Sequence, residues 1–122
     1  MEVAHFGSYA LHVAGIRTGD RLAHQLWQDI ETDPEYEGKT TMFILPEFGR
    51  DPDGSITNGF FNHRSDTEST RSTWMMTLGS AVEKPGLEER PIRHVDLCST
   101  MADLLGCRRI ETQGAPIAEV HL

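Results

Sequence analysis

The sequence predicts an α/β fold, a small and mainly parallel sheet flanked by helices, formed by residues 1–122 as one unit. Three observations carry this expectation. Tyr9 to Ile30 holds apolar residues at helical spacing, two short runs are apolar without alternation, and a second helical pattern closes the chain. The 38% hydrophobic and 25% charged content is that of a globular chain able to bury a core.

In the first pattern Tyr9, Val13, Ile16, Ala23, Trp27 and Ile30 share one face, interrupted only by Asp20. Gly15 and Gly19 each weaken a helix by up to about 1 kcal/mol relative to Ala. The stretch therefore reads either as one long helix with a weak middle or as two helices meeting near Thr18 to Asp20. Thr18 or Asp20 would then cap the second.

An acidic loop, Asp33 to Lys39, leads into Thr40-Thr41-Met42-Phe43-Ile44-Leu45, which Pro46 ends. This run suits a strand buried on both faces, as in a helix-covered parallel sheet. Glu47 to Arg71 reads as one long polar loop. Thr73 to Leu78 reads as a second buried strand, closed by Gly79. The last helix is expected from about Val95 to Leu105, with Val95, Leu97, Cys98, Met101, Leu104 and Leu105 on its apolar side and Gly106 as the stop. At most one short strand, near Ile117 to Val120, follows. Two strands apolar on both faces leave surface that this chain alone does not cover, so the chain is expected not to be a monomer.

The net charge of −8 and the lack of any basic cluster disfavour nucleic-acid and anionic-membrane partners. No apolar run approaches the roughly 20 residues of a membrane span, and Met1 to His5 lacks the pattern of an export signal. A parent protein extending further upstream could still carry one. Cys98 and Cys107 have neither metal-site spacing nor disulfide-scaffold density, and Cys98 reads as a small core residue.

Among the polar residues, His12 and His24 fall off the apolar stripe and read as solvent-facing. His94 precedes the last helix and His121 lies near the end. Asp20 reads as a helix cap before it reads as a group aimed at a site. Arg50 and Arg64 fit salt bridges to Asp51, Asp53 or Asp66 better than anion binding. Asp51-Pro52-Asp53-Gly54 lacks the ligand spacing of a calcium loop and reads as a turn. No nucleophile elbow, phosphate-cradling loop or dinucleotide fingerprint is present. No base is identifiable for any Ser or Thr between Ser65 and Thr73.

Several segments nevertheless resemble, in order, the C-terminal part of alkaline phosphatase superfamily hydrolases. Thr40 to Arg50, TTMFILPEFGR, is similar to the strand and following loop that deliver metal ligands there, its Glu-Phe-Gly-Arg close to sulfatase-like members. His63, in Asn62-His63-Arg64, stands where a late ligand histidine follows a long loop. His94 to Gly106 resembles the closing helix, with its Asp-Leu, Thr and Leu-Leu-Gly positions. Ala4-His5 is similar to a segment supplying further ligands before a long helix.

The resemblance implies a partial alkaline-phosphatase-like layer and a metal site at His5, Glu47 and His63. It would take Zn²⁺ or another divalent cation and serve phosphoric or sulfuric ester hydrolysis. The departures are equally specific. The family's Asp-His pair is Glu47-Phe48 here, and the Asp expected before His5 is absent. The half that carries a first ligand Asp and the nucleophile would precede this chain. The expected role is therefore a ligand-bearing segment, inactive in isolation, partnered by a second copy or by the missing N-terminal half. The alternative is a non-catalytic self-associating or binding module with a degraded site.

Overall fold

A computed structural model of the chain describes residues 8–52, 61–107 and 113–121. Its elements run α1 (Tyr9–Thr32), β1 (Thr41–Ile44), α2 (Glu68–Arg71), β2 (Met76–Gly79) and α3 (His94–Leu104). The chain divides into two compact units, 1–33 with 43–76 and 34–42 with 77–122. No described helix is long and apolar enough to cross a membrane.

In the first unit, α1 is continuous across Gly15, Gly19 and Asp20, so of the two readings the single long helix is the one formed. Its N-cap is Ser8, whose Oγ accepts from the Leu11 amide at 3.3 Å. Asp20 is therefore no cap but an exposed mid-helix residue. The other twenty-two residues of the 24-residue helix outweigh its two glycines. Val13, Ala23, Trp27 and Ile30 of the expected stripe are half-buried, but Tyr9 and Ile16 are exposed, and no residue of α1 is fully buried. His24 is solvent-facing as expected, whereas His12 is half-buried.

The sheet differs from expectation. β1 and β2 form one two-stranded sheet, and they run antiparallel. A parallel pair needs a crossover, usually a helix lying across one face. Between Leu45 and Met75 the described residues hold only the four-residue α2, which cannot act as one. Burial differs too. Every residue of β1 is half-buried, so neither strand is sealed on both faces within this chain.

β2 begins three residues later than its apolar run suggests, leaving Trp74 58% exposed outside it. Gly79 is part of the strand rather than its stop. It sits at φ 115 against the Thr40 backbone, where an added Cβ would fall on the Thr40 carbonyl oxygen. That close approach continues the pairing. The Ser80 amide donates to the Thr40 carbonyl at 3.2 Å, and the Ala81 amide to the Thr41 hydroxyl at 3.2 Å.

The second unit is small. Among its described residues the buried ones are Ala81, Ile117 and Val120 together with Ser99 and Thr100 of α3. The strand expected near Ile117 to Val120 is reduced to one antiparallel bridge, Val82 to Val120. α3 ends as its Leu-Leu-Gly predicts. The Cys107 amide donates to Ala102 and the Gly106 amide to Asp103, a Schellman closure.

Of the apolar side expected of α3, Leu97 and Leu104 are half-buried, but its fully buried positions are polar, Ser99 and Thr100. Met101 and Leu105 are exposed, as is Cys98, which is no core residue. Thr100 takes the buried place. Its Oγ1 donates to the Asp96 carbonyl at 2.7 Å and accepts from the Ile117 amide at 2.9 Å, tying the C-terminal segment to the helix. A hydroxyl at this point can satisfy an amide that a methyl group cannot.

Asp96 holds the same segment from the helix N-terminus. Its carboxylate accepts from the Arg93 amide and guanidinium and from the Ala115 amide. The Arg93 hydrogen bonds, then that of Ala115, pull its pKa from 3.8 down to about 2.

Two outcomes follow for this unit. Thr100→Val leaves the buried Ile117 amide unsatisfied and should cost roughly 1–3 kcal/mol in chemical denaturation. A loss below the error of the measurement would show that the bond does not hold the segment. Asp96, with its pKa depressed in the folded state, contributes stability that is fully present above pH 3.8 and lost as pH falls towards 2. Melting temperatures across this window should fall less steeply in Asp96→Asn than in the natural chain.

Candidate functional site

The residues singled out by the family resemblance lie mostly on two stretches of the first unit, the loop leaving β1 and the segment 61–67. Pro46 ends β1, and the chain turns through Glu47, Phe48 and Gly49. The Gly49 amide donates to the Thr70 carbonyl at 2.9 Å. A Cβ at Gly49 would fall on the Ser69 carbonyl oxygen, so the residue must be glycine for the loop to lie this close to α2.

Asp51 joins the two stretches. Its carboxylate is fully buried and accepts from the Arg64 amide at 3.0 Å, from Arg64 Nε at 2.8 Å and from the Thr67 hydroxyl at 3.3 Å. Its own amide donates to the Asn62 carbonyl at 3.0 Å. The Asp51 hydrogen bond raises the Arg64 pKa above its ordinary value. Arg64 is thus in the salt bridge expected of it, and Asp51 is more than a turn residue. Thr70, also buried, sets its hydroxyl against the Thr67 and Arg64 carbonyl oxygens.

This clamp fixes what lies one residue away. Phe48 and His63 stack with ring centroids 4.1 Å apart and planes inclined by 30°. The Arg50 guanidinium lies 5.7 Å from the Phe48 ring centre and reaches the Phe61 carbonyl at 3.5 Å. His63 and Arg50 are half-buried and Glu47 is exposed.

Of the three expected ligands, Glu47 and His63 lie in this region and His5 lies outside the described residues. A zinc site needs three or four donors. Among the described residues no group of three or more His, Cys, Asp or Glu is positioned to hold a metal ion. Two donors do not make a fit. The other histidines lie elsewhere. His94 opens α3, and His121 lies 3.6 Å from Glu83 with its Nδ1 3.0 Å from the Ala118 carbonyl.

The Phe48–His63 stack and the Thr67–Thr70 support of Asp51 were not legible in the sequence. The one usable signal was Asp51 itself, an acidic residue directly after Gly49-Arg50 and within reach of Arg64. No family model, no curated protein and no solved structure matches this chain.

Asp51→Ala should destabilise the chain by about 2–3 kcal/mol, since two amide or guanidinium donors and a hydroxyl lose a charged acceptor. The same change should free the His63 ring, visible as narrowed dispersion of its imidazole NMR signals. Unchanged stability would mean that the clamp does not hold the two stretches together.

Proposed function

We propose that this chain is the C-terminal, ligand-bearing segment of a metal-dependent phosphatase- or sulfatase-like hydrolase, inactive by itself and completed by a partner. The single observation supporting this reading is the Phe48–His63 stack. Phe48 stands where the resembled family has a ligand histidine, and its ring lies directly beside the family's late histidine position. Those two positions are 15 apart in the chain and are brought together by the Asp51 clamp. That proximity is what a shared metal site requires. The chain's own residues would contribute His63 and Glu47, with Arg50 near enough to the same ring pair to meet an anionic oxygen. The nucleophile, and the first ligand Asp, would come from the partner.

A second reading has its own support. A phenyl ring packed on His63 occupies the face of the imidazole with a group that cannot bind metal. That favours a non-catalytic module with a degraded site, serving in binding or self-association.

Calorimetry separates the two. Under the hydrolase reading, Phe48→His restores an imidazole beside His63 and should add Zn²⁺ binding that the double variant Phe48→His/His63→Ala loses. No gain on Phe48→His would favour the degraded module. The natural chain should not hydrolyse nitrophenyl phosphate or nitrophenyl sulfate, with or without Zn²⁺, Mn²⁺ or Ca²⁺. Metal-dependent turnover abolished by His63→Ala would overturn inactivity in isolation.

A further inference from the structure

We propose that the exposed leucine face of α1 is the surface on which a second copy of this chain docks, as an antiparallel helix pair. At 100° per residue, Leu11, Gly15, Thr18, Gly19, Leu22 and Leu26 fall within an arc of roughly 100°. This face is rotated by about 100° from the half-buried Val13, Ala23, Trp27 and Ile30. Leu11, Leu22 and Leu26 are 56%, 60% and 52% exposed. An added Cβ at Gly15 or Gly19 would meet nothing within 4 Å. Both glycines weaken the helix and neither is used in packing within this chain, yet both leave room for another backbone to come close.

The pattern is complementary to itself in one orientation. With a two-fold axis between Thr18 and Gly19, Leu22 of one copy meets Gly15 of the other, and Leu11 meets Leu26. Large thus packs into small at the two inner crossings, leucine meets leucine at the two outer ones, and the contact closes as an isologous pair. The charges select the same direction. Asp29, Glu31, Asp33, Glu35 and Glu37 gather at the C-terminal end of α1 and just beyond. Antiparallel packing sets the two acidic ends about 36 Å apart, several times the Debye length of about 8 Å at physiological salt. Parallel packing would bring them together.

This inference concerns mass and helix contacts, so it stands or falls separately from any metal site or hydrolysis.

Light scattering behind size exclusion on the full chain should give twice 13.7 kDa. Leu22→Glu should halve that mass while circular dichroism keeps its helical signal. Independently, with Cys98→Ser and Cys107→Ser in place, Thr18→Cys should oxidise to a covalent dimer, because residue 18 lies at the axis. Leu26→Cys should not, because residue 26 faces residue 11 of the other copy. A monomeric natural chain, a dimer unaffected by Leu22→Glu, or crosslinking through Leu26→Cys in place of Thr18→Cys would each overturn the proposal.

Discussion

The Asp51 carboxylate is the interaction on which the first unit's irregular part depends. A buried carboxylate is costly unless its oxygens are fully engaged, and here an amide, a guanidinium and a hydroxyl engage it. Because one of those donors is the Arg64 backbone, the bond fixes main chain as well as side chain. Its neighbour His63 is thereby held at a set distance from the loop leaving β1. The whole Phe48–His63 arrangement follows from satisfying one charge.

The second unit uses the same strategy with less charge. Thr100 and Asp96 both spend side-chain acceptors on backbone amides of the C-terminal segment, at Ile117 and Ala115. In place of a broad apolar face, α3 holds the C-terminal segment through specific hydrogen bonds, and the buried apolar residues of the unit are the small set Ala81, Ile117 and Val120 among those described. Such contacts fix register well and bury little area. The consequence is a unit whose larger apolar residues, among them Leu87, Met101 and Leu105, remain exposed.

That exposure connects the fold to the functional reading. The strands are only half-buried, and the proposed reading has a partner complete them. The resembled family completes its layers with an N-terminal half, and the leucine face of α1 offers a second copy another route. The two are compatible, since α1 presents its leucines about 100° away from its half-buried stripe.

By itself the sequence determined the long helix, the two strands and the closing helix in their order, because helical periodicity, apolar runs and the Leu-Leu-Gly stop act over a few residues; the short α2 lay inside what reads as a loop. It also pointed Arg64 to a salt bridge with Asp51, Asp53 or Asp66, and the tertiary structure selected Asp51. What it left open was direction, burial and neighbourhood. The antiparallel sheet depends on how the stretch from Leu45 to Met75 returns, and apolarity of a run says nothing about that path. The inward side of α3 went to Thr100 because the Ile117 amide, seventeen residues on, needed an acceptor. The stacking of Phe48 on His63 was decided by the Asp51 clamp, a tertiary contact between segments that local patterns treat as independent.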